Sequence, residues 1–207
     1  MSGQRMDVDS VWRHVDEQRA VFADLVESLD EQQLAHPSLC DAWTVRHVVA
    51  HLSLSVMDAR TLLTEALRAR GRYNRMVRDS ALRHAARTSV AEDVAAIRAL
   101  AGTRRKVFVV TPLEPLIDVL VHTQDVARPL GLEVTMPVEA AVAATQRAYS
   151  MGFPFWAARR LRGVRLSADD ADWAAGDGTT VEAPIAELLL LVTGRSSPRE
   201  LLSRDRQ

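Results

Sequence analysis

The stretch Leu39-Cys40-Asp41-Ala42-Trp43-Thr44-Val45-Arg46-His47-Val48-Val49-Ala50-His51-Leu52 decides how this chain is read. Its first part has no helical period, and Pro37 just upstream argues against helix there. Thr44 then suits the N-cap of a helix running from about residue 45 to 70. The apolar stripe of that helix is Val45, Val48, Val49, Leu52, Val56, Ala59 and Leu63, and Gly71 fits as its stop. His47 and His51 stand four apart, but the helical wheel separates them. His51 lies beside Val48 and Ser55 on the flank of the stripe, where it reaches a neighbouring helix. His47 points away from the stripe, into water.

Working outward, Val11, Val15, Phe22, Leu25, Val26 and Leu29 recur at three- and four-residue steps. That spacing predicts a helix from about 8 to 30, started by Asp7 or Asp9. Arg72 to Arg87 is strongly basic and poorly patterned, and reads as a loop with a short helix at most. Ser89 followed by Glu92 is a capping box for a third helix, Val90 to Ala101. Pro112 suits the first turn of a fourth, closed by Gly131 after Leu130. A fifth is expected over Val138 to Ala158, kinked at Pro154. Helices of this number and length predict a bundle.

Near Leu161 the period changes from helix to strand. Val164, Leu166 and Ala168 alternate with Arg165 and Ser167. Trp173 to Ala175 reads as a second strand, and Gly176-Asp177-Gly178 as a turn ahead of Thr179-Thr180-Val181. Ala183-Pro184 opens an apolar helix through Ile185, Leu188, Leu189 and Val192, and Ser197-Pro198 starts a last short one. The expected fold is mainly α: a helical bundle over residues 1–158 with a small α/β appendage over 159–207.

Composition removes several classes of function. An apolar fraction of 47% and a charged fraction of 26% exclude disorder and fibrous repeats. A net charge of −1 excludes the electrostatic footprint of general nucleic-acid or anionic-membrane binding. Cys40 is the only cysteine, so neither a disulfide nor a Cys-rich zinc site organises the chain. No stretch approaches the ~20 apolar residues that span a bilayer, and the first residues hold no apolar signal core. The expectation is a cytoplasmic monomer or homodimer.

Glycine-rich phosphate loops and serine elbows are missing, which leaves the histidines: His14, His36, His47, His51, His84 and His122. The fourth predicted helix is apolar around most of its circumference, with one polar sector holding Glu114, Asp118, His122 and Asp125. Such a helix is buried on most sides, so the sector faces either a strip of solvent or an internal polar site. Asp118 and His122 lie one turn apart. Joined by His51, they offer two imidazoles and a carboxylate, a set that Zn²⁺ or a related divalent ion (Ni, Mn or Fe) accepts with one position left open. On pattern alone the plainer reading has more weight: a packing histidine, and a helix pair contributing a few tenths of a kcal/mol.

Resemblance shifts that weighting. Leu39 to Leu52 resembles the N-terminal signature of the mycothiol-dependent maleylpyruvate isomerase family, within the DinB-like metal-binding bundles. Asp118-Val119-Leu120-Val121-His122-Thr123-Gln124-Asp125-Val126-Ala127-Arg128 is similar to its second metal-binding helix. Gly176-Asp177-Gly178 and Leu188 to Arg195 resemble the small domain common in these proteins. The resemblance implies a DinB-like four-helix bundle whose metal ligands are His51, Asp118 and His122. Asp118 departs from the family, which typically has Glu there, one methylene longer. The resemblance also implies mycothiol as thiol cosubstrate, a small electrophilic substrate, and isomerisation or S-transfer. A metal lowers the pKa of a bound thiol, which suits that chemistry. A metal-dependent hydrolase and a non-catalytic ligand-binding bundle are the alternatives. Asp125 reads equally as the group that orients a ligating imidazole and as an ordinary salt-bridging residue. Arg195 is a candidate anion clamp, although a cation at a helix C-terminus is favourable in any case. Trp12 and Trp43 read as core anchors and Cys40 as an inert thiol.

Overall fold

The computed structural model describes residues 6–54, 56, 59–107 and 110–204. Ser55, placed beside His51 by the sequence, lies outside them. The chain divides into two compact units, Trp12–Val134 and Met1–Val11 with Thr135–Gln207.

The first unit holds seven α-helices among the described residues, the first of which begins just ahead of it. In order they are α1 (Val8–Glu27), α2 (Glu31–Ala35), α3 (Val45–Ser53), α4 (Ala59–Arg68), α5 (Tyr73–Ala85), α6 (Val90–Arg98) and α7 (Leu113–Ala127). Four of them supply most of one apolar core, to which α5 adds Ala81. Phe22 and Val26 come from α1, Val45, Val48, Val49 and Leu52 from α3, Val94 and Ile97 from α6, and Val119 and Val126 from α7. This is the expected four-helix bundle, and α3 packs against α5, α6 and α7. Burying each of these side chains stabilises the fold by roughly 1.5–3 kcal/mol relative to exposure.

The caps behave as their residues predict. Asp7 Oδ1 accepts from Ser10 N at 2.9 Å at the start of α1. Ser89 Oγ accepts from Glu92 N while Glu92 Oε2 accepts from Ser89 N at 2.7 Å, closing the capping box of α6.

Three expectations need correction. The helix expected over 45–70 is two helices, α3 and α4. Leu54 still lies in the right-handed region as the C-cap of α3, and the Ser53 hydroxyl bonds back to Ala50 O at 2.9 Å, a local side-chain to backbone bond of the kind that competes with the helix ladder. Leu63, assigned to the buried stripe, is 61% exposed as a result. The basic stretch expected as loop is the thirteen-residue α5. Arginine is a good helix former, and the apolar stripe is narrow, with Ala81 in the core and Val77 packed against it. The helix expected through Pro154 stops at Ser150, so the proline follows it instead of kinking it.

The second unit carries α8 (Val138–Ser150), α9 (Ala157–Arg160), β1 (Val164–Ala168), β2 (Ala174–Ala175), β3 (Thr179–Ala183), α10 (Ile185–Val192) and α11 (Pro198–Arg204). The strand order is β2-β1-β3. β1 runs antiparallel to β2, with Leu166 opposite Ala175, and parallel to β3, with Leu166 opposite Val181. Gly178 makes the return possible: at φ +116° a Cβ there would sit 2.2 Å from the Gly163 carbonyl oxygen. α10, apolar except for Glu187 in its first turn, packs against α8. Trp173 Nε1 ties the sheet to α8 by donating to Gln146 Oε1 at 2.9 Å. Among the described residues no helix is long and apolar enough to cross a membrane.

Candidate metal centre

α7 shows how the site is placed. Every residue from Pro115 to Ala127 is buried except Asp118, whose side chain is 38% exposed. The one polar position that opens outward is therefore the carboxylate flagged by the sequence. One turn on, His122 turns the same way from a buried backbone. α3 brings His51 to them from the facing helix. His51 Nε2 lies 3.6 Å from Asp118 Oδ2, and His122 Nε2 lies 3.5 Å from Asp118 Oδ1. The three donor atoms fall within 4.8 Å of one another.

These spacings suit a shared ion. Ligands at about 2.1 Å from a tetrahedral metal stand about 3.4 Å apart, close to what the free donors show. They are also long for direct hydrogen bonds. Asp118 reaches this position despite its short side chain.

Behind His122 the chain builds a support. His122 Nδ1 sits 2.8 Å from Oδ2 of Asp125, which is fully buried. A carboxylate only accepts, so Nδ1 carries the proton and the ring is fixed with Nε2 toward Asp118. Cys40 Sγ donates to the same Asp125 oxygen at 3.1 Å and lies 3.8 Å from His122 Nδ1. Cys40 is thus part of the cluster, where the sequence suggested an inert thiol. Cys40, His122 and Asp125 form a second group of adjacent ligand atoms, but the short His122–Asp125 contact already occupies it.

The irregular segment before α3 is what delivers Cys40. Pro37 bridges Thr44, Ser38 N donates to Trp43 O at 2.9 Å, and Leu39 N donates to Asp125 O at 3.1 Å, stitching the segment to α7. Trp43, expected as a core anchor, is buried and also walls the site. Its ring lies 5.2 Å from that of His51 and 6.3 Å from that of His122, and its Nε1 has no hydrogen-bond partner among the described residues. Trp12 is buried at 4% exposure.

Charge in the cluster follows from these contacts. Burial works to raise the Asp118 pKa, but His122 and His51 outweigh it and hold the carboxyl far below the usual range. Burial works to lower that of His122, yet Asp118 and Asp125 hold it well above the ordinary imidazole value.

The other histidines have other partners. His47 does not point into water. It is half-buried, with Nδ1 accepting from Thr44 N at 3.1 Å, and so caps α3. Burial, then the neighbouring Arg46, lowers its pKa. His84 Nε2 lies 2.8 Å from Asp93 Oδ1. Arg195 belongs to the other compact unit, where its Nη1 donates to Thr193 O at 2.9 Å.

Fold and cluster together describe a helical bundle carrying a His-Asp-His group on two of its helices. Residues 15–127 match the profile of the mycothiol maleylpyruvate isomerase N-terminal domain, so the chain belongs to that family. Two solved structures share the fold: the mycothiol-dependent maleylpyruvate isomerase, at 14% identity, and a histidine-to-alanine mutant of it, at 13%. Each gives a TM-score of 0.60 and covers 95% of this chain and 93% of the other. None of the curated proteins matches the sequence.

Proposed function

We propose that the chain is a metal- and mycothiol-dependent isomerase or S-transferase of a small electrophile, with a divalent ion, Zn²⁺ first, held by His51, Asp118 and His122. The observation that carries this reading is the spacing of the three donors, 3.5 and 3.6 Å across Asp118, with His122 oriented from behind by Asp125. Family membership supports the thiol, since the family profile is named for mycothiol.

When bound, such an ion supplies Lewis acidity at its open position, which brings a thiol to its thiolate form near neutral pH. The protein's own groups do the rest. Asp118 and the two imidazoles present their lone pairs from two helices whose core packing fixes the separation. Asp125 keeps the proton of His122 on Nδ1 and leaves Nε2 as the donor. Trp43 covers one side of the pair of imidazoles and excludes water there.

The test is thermal unfolding with and without mycothiol, in metal-loaded and metal-stripped protein. Stabilisation by the thiol only when metal is present is expected, because a ligand that binds the native state alone raises its stability by mass action. Indifference to mycothiol in the metal-loaded protein would overturn the thiol reading.

A further inference from the structure

α4 turns its leucines outward. Leu63 and Leu67 are 61% and 70% exposed, while Glu65 and the small Ala69 are buried at 8% and 3%. A buried carboxylate and a pair of leucines in water are each the reverse of what solvation prefers. Glu65 is matched. Its Oε1 accepts from Arg68 Nη1 at 2.8 Å, and its Oε2 from Arg83 Nη2 of α5, the helix on which α4 packs. The leucines have no such cover. Arg60, Leu63, Thr64 and Leu67 stand at i, i+3, i+4 and i+7, so they share the face turned away from Glu65.

The same segment is strongly basic. Residues 59–88 hold eight arginines against two acids, Glu65 and Asp79, a net +6 in a chain whose total is −1. The near-neutral total conceals a segregated charge, and the exclusion drawn from it does not reach this surface. Both acids are already taken: Glu65 as above, and Asp79 by Arg75 at 3.4 Å and Arg78 at 2.9 Å. Arg60, Arg70 and Arg72 are exposed and form no ion pair among the described residues. Arg70 stands at the tip of the α4–α5 turn in left-handed backbone, φ +53°, next to Gly71 at φ +71°. That conformation favours glycine or asparagine, so the turn presents this guanidinium at a conformational cost.

We propose that α4 and its turn into α5 dock on an anionic lipid surface, with Leu63 and Leu67 entering the headgroup layer and Arg60, Arg70 and Arg72 meeting the lipid anions. No residue of the His51–Asp118–His122 cluster takes part, so the proposal is independent of that reading. Leucines flanked by arginines are how a helix too short to span a bilayer holds to its surface. A second copy of the chain is a poor occupant, because a two-fold contact would set these arginines against their own copies. A partner helix reads apolar anchors at i, i+3, i+4 and i+7, and two of those four places here are Arg60 and Thr64. A leaflet needs no such register, since its anions move to meet the guanidiniums.

Co-sedimentation of the full chain with lipid vesicles tests this. Wild type is expected to bind vesicles of equal parts phosphatidylcholine and phosphatidylserine and to ignore phosphatidylcholine alone. It lets go at about 1 M salt, where charges are screened beyond about 3 Å. Arg60→Gln and Arg72→Gln each weaken binding about fivefold, the share of one basic residue beside an anionic leaflet. Leu63→Gln with Leu67→Gln, which leaves the charge unchanged, weakens it about tenfold or more. All of these side chains are exposed, so the variants melt with wild type. Arg165→Gln, an equal charge change on β1, leaves binding as it was. The proposal is overturned by a wild type that does not sediment with the phosphatidylserine vesicles, or by unchanged binding in the leucine pair. So does an Arg165→Gln loss equal to that of Arg72→Gln overturn it, since net charge would then be the cause. Tighter binding to polyglutamate than to the mixed vesicles assigns the surface to an acidic polypeptide, and a dimer dissociated by Leu63→Gln assigns it to a second copy; either result overturns the lipid assignment.

Discussion

Two carboxylates in the same bundle, Asp93 and Asp118, are finished to different degrees. Asp93, 1% exposed, has every oxygen occupied: Arg46 Nη1 at 2.6 Å and Thr88 Oγ1 at 3.1 Å on one, His84 Nε2 and Ser53 Oγ at 2.8 Å on the other. Asp118 has two imidazoles at 3.5 and 3.6 Å. The first arrangement is a closed knot joining α3, α5 and α6. The second leaves the spacing that an ion would fill on the proposed reading. Their separation teaches that burial of charge alone does not mark a site. The satisfaction of its hydrogen bonds distinguishes a structural knot from a centre waiting for a ligand.

The contrast breaks most visibly at Asp93. Asp93→Ala leaves Arg46 and His84 without their partner, and chemical denaturation is expected to show a loss of about 3–5 kcal/mol. A loss under about 1 kcal/mol, the range of an exposed pair, would show that the knot is no stronger than a surface contact. The knot also holds α3 two residues beyond His51, so metal affinity should fall in the same variant.

At the other carboxylate cluster the sharper probe is Asp125→Asn. Removing the charge that orients His122 is expected to weaken the metal by about 10–100-fold, measured by competition with a chelator, while the fold persists. An unchanged affinity would make Asp125 a packing residue.

Acidity separates the two clusters again. In metal-free protein the raised pKa of His122 means that its pairing stabilises the fold fully below about pH 6.5 and is lost as pH rises through the raised value. The depressed pKa of Asp118 works the other way: its contribution is present above about pH 4 and disappears on further acidification. Metal-free protein should therefore melt progressively lower as the pH is raised from about 6.5, and Asp125→Asn should flatten that decline. A decline of equal slope in the variant would show that His122 is not its source.

The smallest effect lies at the cap of α6, one residue from Thr88 of the Asp93 knot. Ser89→Ala removes the side-chain acceptor at the start of α6 and should cost about 1 kcal/mol in thermal unfolding. A cost as large as that of Asp93→Ala would mean that α6 is held by its cap and not by the knot.

How far these features were legible in the sequence depends on whether they are periodic. Asp118 and His122 announce themselves because an i,i+4 pair on an otherwise apolar helix has one direction to face, and His51 follows from the flank of the α3 stripe. Cys40 does not, because it sits in a segment without period whose place is set by the bond from Leu39 N to Asp125 O, 86 residues apart. Arg19, on α1 and only 5% exposed, is invisible for a different reason. A charge on an amphipathic helix is read as solvated, and only packing reveals that it stands on the buried face. The break between α3 and α4 was hidden likewise: apolar spacing continues through Val56 and Leu63 although α3 ends at Ser53.

Elemental analysis of purified wild type beside His51→Ala and His122→Ala tests the shared grip on one cation most directly. About one divalent ion per chain in the wild type, lost from both variants, is the predicted result. Full metal content in either variant, or none in the wild type after growth and purification with added zinc, would contradict it.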